Sequence, residues 1–201
     1  MHATATLFLD VCVQPDLWPG GAWPLVNDAQ ARNIARLFAV AVDLPLRQGG
    51  IVCRHDAGSD ELRADVPEHC RIFGGRIDRP PGCAPRLPMR IWATADPRDR
   101  AAATYLDCGC QRPPDAAAQD RDGLQHLLAG VRDAVVFGAG VEYGIDRVVT
   151  ALLHRRIRTH VVLDAVGTAD DVGAQAVVAG WKRRGVDGVT VAMVERLLAL
   201  G

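Results

Sequence analysis

Short runs of branched and aromatic residues alternate along this chain with longer stretches whose apolar residues fall three or four apart. Thr6 to Val13 (TLFLDVCV), Gly50 to Arg54, Met89 to Thr94, Asp133 to Gly138, His160 to Val166 and Val189 to Ala192 read as strands. Between and after them, Asp28 to Val42, Gly123 to Ala129, Gly144 to Arg156, Asp170 to Arg184 and a short C-terminal segment have helical spacing. The first helix has Asn27 or Asp28 as its N-cap and buries Ile34, Leu37, Phe38 and Ala41 on one face. Gly144 to Arg156 presents Val148, Val149, Leu152 and Leu153 for core packing. Strand and helix in strict alternation predict a mostly parallel sheet covered on both faces, an α/β fold of three layers. Residues 56–87 and 95–122 read as irregular, rich in Pro, Gly and charge, and a stretch of the first kind often walls an active site.

The 201 residues, 49% of them hydrophobic, suit one domain over 1–201 that needs no disulfide to build its core. A formal net charge of −1, with acids interleaved among the arginines, gives no sign of a nucleic-acid or anionic-membrane partner. No apolar run approaches the roughly 20 residues that span a bilayer, and the N-terminus lacks a signal peptide's basic start. The expected location is cytoplasmic, with the six cysteines mostly reduced. Cys108-Gly109-Cys110 is a weak metal or redox signal that reads first as a loop with two thiols. Of 23 basic residues only Lys182 is a lysine, and that limits the chemistry open to the chain.

Parallel sheets bind ligands at the carboxyl ends of their strands, which here means residues 10–16, 53–56, 92–96, 138–144 and 164–168. Asp16-Leu17-Trp18-Pro19-Gly20-Gly21-Ala22-Trp23-Pro24 resembles the D-F-x-P-G-G-x-L-P segment after the first strand of nicotinamidases. Pro67-Glu68-His69-Cys70 resembles their P-x-H-C, and Gly138-Ala139-Gly140-Val141-Glu142-Tyr143-Gly144-Ile145 their G-V-A-T-D-Y-C-V. His160 to Asp170 resembles their strand V-V-V-x-x-D-A and the turn after it. In order and spacing, the four segments resemble the isochorismatase-like (nicotinamidase, cysteine hydrolase) superfamily over nearly the whole chain. That resemblance implies a six-stranded sheet and an Asp, Lys, Cys triad in which a thiolate attacks an amide carbonyl. The lysine would lower the thiol's pKa, and backbone N–H groups would form the oxyanion hole. It also implies a cis peptide near Gly140-Val141, a small-molecule substrate and a homo-oligomer.

The chain departs from that pattern at the positions that do the chemistry. Gly144 stands where the nucleophilic cysteine should be, and no lysine lies near the end of the third strand, which reads Ile91-Trp92-Ala93-Thr94. Arginine is a poor substitute, since it is bulkier and does not readily lose its proton. Without a gap the family aspartate becomes Cys12; with a two-residue insertion Asp10 takes its role. The metal segment is altered to Arg54-His55-Asp56-Ala57, and His55, Asp56 and His69 could still hold a zinc ion or could line a polar loop without metal. Trp18, Trp92, Gly140, Val141 and Glu142 are the candidate ligand contacts, though Trp18 and Trp23 equally suit packing of the first loop; Tyr143 reads as core or interface.

Three readings follow. The crevice binds a ligand or partner without catalysis. Alternatively, Asp10 is the general acid of a non-covalent hydrolase of the isochorismatase, vinyl-ether type, where glycine at position 144 has a precedent and Arg86 or Arg90 would hold a substrate carboxylate. Finally, Cys12 or Cys70 is a displaced nucleophile of an amidase-like hydrolase.

Overall fold

The computed structural model describes residues 5–44, 46–53, 55, 70, 78–87, 89–91, 103–107 and 117–199, with backbone alone at 90, 91 and 117–122. Among the described residues, seven strands form one sheet: β1 Thr6–Val11, β2 Arg47–Val52, β3 Met89–Ile91, β4 Ala103–Asp107, β5 Asp133–Ala139, β6 Arg158–Gly167 and β7 Asp187–Val189. Their order is β3-β4-β2-β1-β5-β6-β7, and every neighbouring pair is parallel. The helices are α1 Asp28–Asp43, α2 Ala117–Leu128, α3 Asp146–His154, α4 Asp171–Arg183 and α5 Val191–Ala199.

The α/β alternation of the sequence is therefore the fold, with one strand more than the six expected. The extra strand is β4, inside a stretch taken as loop, and α2 begins in the same stretch. Five residues flanked by charge and proline give too short a periodic signal to stand out, yet β4 lies between β2 and β3 and buries Ala103, Tyr105 and Leu106.

Strand order fixes where the helices go. The chain moves from β1 to β2 in one direction along the sheet and from β5 through β6 to β7 in the other. Right-handed crossovers then place α1 on one face and α2, α3 and α4 on the opposite one. α5 returns to the side of α1, where Arg36 grips both carboxylate oxygens of Glu195 at 2.5 Å. α3 and α4 are tied by the Trp181 indole, which donates to Asp146 Oδ1 at 2.7 Å. Asn27 caps α1 in a reciprocal box with Gln30, so the N-cap expected from sequence is Asn27.

All six residues of β1 are buried, as in a central strand covered on both faces. On the α1 side Phe137 takes Phe8 and Phe38 edge-on, with ring centroids 6.0 and 5.6 Å apart. Between β1 and β5 the direction of the crossovers reverses, and this switch point brings the end of β1 beside the segment that follows β5.

Candidate functional site

The end of β1 meets the start of α3 at that switch point. β5 ends at Ala139, Gly140 adopts a left-handed conformation (φ 81°), and Val141–Ile145 form one π-helical turn leading into α3. A side chain other than glycine would be strained at Gly140. All described peptide bonds are trans, so the cis peptide implied near Gly140-Val141 is absent. In this turn Gly144 sits directly against β1. A Cβ placed there would lie 2.9 Å from Val11 Cγ1 and 3.8 Å from Cys12 Sγ. The methyl of Val11 thus already crowds the place from which a nucleophile's side chain would grow.

Cys12 and Asp10 occupy different environments. Cys12 has a left-handed backbone (φ 51°), which ends the strand alternation, and its N–H donates to Ile51 O at 2.8 Å. The neighbouring Cys53 thiol and burial push its thiol well above the usual range. Cys53 is held in turn: its N–H donates to Gln14 Oε1 at 2.7 Å, Gln14 Nε2 donates to its carbonyl at 2.8 Å, and its Sγ lies 2.7 Å from His55 Nε2.

Asp10 lies deeper, in register with Gly50 and Phe137. One of its oxygens accepts from Arg79 Nη1 at 2.7 Å and the other from the Tyr105 hydroxyl at 2.6 Å. Arg79 also donates to Val13 O at 2.9 Å, and its guanidinium carbon lies 4.5 Å from the centre of the Tyr105 ring and 5.8 Å from that of Phe38. The Asp10 and Arg79 side chains are 1% and 7% exposed. Burial raises the Asp10 carboxyl above its ordinary pKa, more than Arg79 and Tyr105 lower it. Burial also pushes Tyr105 well up, and neighbouring Cys83 to about 12.

Two residues of this cluster were not foreseen, Arg79 and Tyr105; Cys53 stood among the strand-end residues 53–56. Arg79 follows Asp78 and precedes Pro80-Pro81-Gly82, and a cation just before a tight turn in a nearly lysine-free chain was the available signal. Arg86, considered for a substrate carboxylate, has an exposed side chain and only its N–H engaged, with Gln48 Oε1. The side chain of Arg90 lies outside the described residues, as do Trp92, Asp56, His69, Cys108 and Cys110. Cys70 is buried, with its N–H on Asp16 Oδ2 at 2.5 Å.

The remaining candidates have structural duties. Glu142 accepts from the Thr168 hydroxyl and from the Asp170 N–H at 2.9 Å, tying the π-turn to the loop before α4. Trp18 and Trp23 are half-buried against the core, and Trp23 meets Tyr143 at 6.0 Å. Tyr143, expected in the core or at an interface, is 53% exposed on the π-turn and so is not a core residue.

Of the candidate metal ligands only His55 lies among the described residues; Asp56 and His69 lie outside them. Among the described residues no His, Cys, Asp and Glu side chains form a group of three or more able to hold a metal ion, and His55 Nε2 is engaged by Cys53. Likewise, no described helix is long and apolar enough to cross a membrane.

No protein-family model matches the sequence, and no curated protein does. Solved structures match the fold across most of the chain. PnC1 from L. infantum, solved in complex with nicotinate, superposes with a TM-score of 0.68 at 16% identity, covering 96% of each chain. YcaC from Escherichia coli, described as an octameric hydrolase of unknown specificity, gives 0.66 at 17% identity over all of this chain and 82% of its own. The pyrazinamidase of Pyrococcus horikoshii, solved with zinc, gives 0.62 at 17% identity over 92% of this chain and 99% of its own.

Proposed function

We propose that this chain, which has the isochorismatase-like hydrolase fold, uses its crevice to bind a small molecule and performs no thiolate acyl transfer. One observation carries the reading: position 144 is a glycine whose missing side chain is replaced by the Val11 methyl, 2.9 Å from where a Cβ would stand. The thiol beside position 144, that of Cys12, has its pKa pushed well up by the neighbouring Cys53 and by burial. A protonated thiol is a poor nucleophile, and no ammonium group is found among the described side chains at the site. The nicotinate bound to PnC1 supports a small planar ligand at this crevice. The octameric state given for E. coli YcaC supports a homo-oligomer here. We read the chain as a single domain of this fold.

The non-covalent alternative keeps one favourable feature, the raised pKa of Asp10, which suits a general acid. It is the weaker reading because Asp10 is 1% exposed and both its oxygens are taken by Arg79 and Tyr105.

Three substrates separate the possibilities. Incubated with nicotinamide, pyrazinamide and isochorismate, the protein is expected to release neither ammonia nor pyruvate, while nicotinate raises its melting temperature. Ammonia release abolished by Cys12→Ser or Cys53→Ser would reveal thiolate acyl transfer, and release that survives both would reveal an amidase by another route; either defeats the proposal. Turnover of isochorismate that is lost in Asp10→Asn would establish the alternative.

A further inference from the structure

Arg79 has more hydrogen-bonding capacity than the protein uses. A guanidinium carries five N–H donors in a fixed plane and keeps its charge. Nη1 donates to Asp10 Oδ1 at 2.7 Å and to Val13 O at 2.9 Å, while Nε turns to a weak acceptor, Met89 Sδ, at 3.2 Å. Nη2 is buried and has no acceptor among the described residues. The side chain is 7% exposed, so bulk water does not supply what is missing. Buried donors are almost always paired, and one on a charged group is the most costly to leave open. The guanidinium is also held in place. Pro80 to Cys83 form a turn closed by the Cys83 N–H on Pro80 O at 3.1 Å, with Pro81 and left-handed Gly82 (φ 76°) at its centre, the residues a type II turn favours. Cys83 is fully buried and anchors that turn in the core. The Tyr105 ring lies against the guanidinium, its centre 4.5 Å from the central carbon. Val13 lies beyond the end of β1, so its bond to Nη1 sets Arg79 towards the carboxyl side of the sheet, where parallel sheets bind ligands.

The geometry points to Arg79 Nη2 as the recognition point for a carboxylate carried by a small ligand. The assignment rests on the reading that the crevice binds a small molecule, and it adds the charge that molecule carries. A carboxylate oxygen is the acceptor that best matches an arginine N–H, because a bond with charge on both sides is shorter and stronger than a neutral one. The site suits a single negative charge. Tyr105 and Cys83, which also face Arg79, are pushed up by burial and stay neutral, so Asp10 is the one competing anion among the described residues. Burial raises the Asp10 carboxyl towards its neutral form. By taking a proton Asp10 makes way for one incoming carboxylate, with the Tyr105 hydroxyl still as its partner, whereas a dianion such as phosphate would leave a charge uncompensated. Burial of Nη2 and the rings of Tyr105 and Phe38 against the guanidinium favour a small, flat group, which a carboxylate is.

The melting temperature of the full chain is followed against formate and acetate, with sodium chloride keeping the ionic strength constant and formamide and acetamide as neutral controls. Both carboxylates should raise it saturably, and the amides should leave it unchanged. Arg79→Lys keeps a cation for Asp10 and removes the second nitrogen, so the apparent affinity for formate should fall by on the order of tenfold. Should that variant not fold, the guanidinium nitrogen resonances of the wild-type chain replace it: they should move on titration with formate and stay still with formamide. The proposal is overturned if carboxylates and amides act alike, if no carboxylate has a saturable effect, or if the effect is undiminished in Arg79→Lys. Nicotinate and nicotinamide separate it from the reading beneath it. Equal stabilisation by the two keeps a small-molecule crevice and overturns the carboxylate contact. Stabilisation by formate with none by nicotinate supports the contact and removes a nicotinate-like ligand.

Discussion

Asp10 and Arg79 pair their charges in the centre of the molecule, and the cost of breaking that pair differs from its net worth. Removing one partner strands an unpaired charge, which typically costs about 3–5 kcal/mol, whereas replacing both with apolar groups is often neutral. Arg79→Met and Asp10→Leu should each lower the urea midpoint sharply, and the double variant, apolar at both positions, should regain much of the loss. Additive losses would show that the two groups are not coupled. The pH dependence carries a sign as well. The folded pKa of Asp10 is raised above the unfolded value of 3.8 by burial. Its contribution is therefore fully present below the unfolded pKa and is lost as pH rises through the folded one. Asn cannot titrate, so wild type should gain stability relative to Asp10→Asn as pH falls through that window. A gap that narrows instead would mean that Arg79 and Tyr105 outweigh desolvation. Little of this was legible beforehand. Asp10 was in view as a strand residue, but its cation comes from a loop whose side-chain direction no periodicity encodes.

At the scale of elements, the junction of β5 with α3 shows why glycine recurs in this stretch. Gly138 has φ 126°, and a Cβ there would fall 2.0 Å from the Val11 carbonyl oxygen, so no other residue fits. Gly140 turns the chain in a left-handed conformation, and Gly144 packs on the Val11 methyl. For Gly144→Ala two effects compete. Alanine gains about 1 kcal/mol of helix propensity over glycine, while forcing a methyl into a filled core costs typically 1–3 kcal/mol. Val11 is β-branched, with few alternative rotamers, so the crowding should win. Gly144→Ala is expected to lower the melting temperature and Val11→Ala to restore part of it in the double variant; an unchanged or raised melting temperature in the single variant would refute the packing argument. The sequence revealed the helix here and its inward face, with Val149 and Leu152 buried as expected. It did not reveal the π-turn, because one extra residue in a helical turn leaves the apolar spacing almost unchanged.

Across the whole molecule the sheet is not equally secured. β1, β5 and β6 lie at the centre of the main core, whereas Val52, Ala103 and Tyr105, with Met89 against them, form a small separate cluster towards the β3–β4 edge. Arg79 links the two. It grips Asp10 of β1, its Nε donates to Met89 Sδ at 3.2 Å, and it stacks on Tyr105 of β4, which itself donates to Asp10. Structural units with small cores and few ties open locally at lower free energy than the global transition. Removing the tie should therefore loosen one side of the sheet first. In Arg79→Met, amides of β4 should lose hydrogen-exchange protection by far more than those of β5 and β6, under conditions where the chain remains folded. Uniform loss across all strands would mean that the sheet opens as one unit and that Arg79 adds only to global stability. The same asymmetry explains what could be read from the sequence. Strands of the main core carry long apolar runs that announce themselves, while β4 is stabilised by a neighbour's arginine and one tyrosine hydroxyl, contacts visible only once the chain is folded.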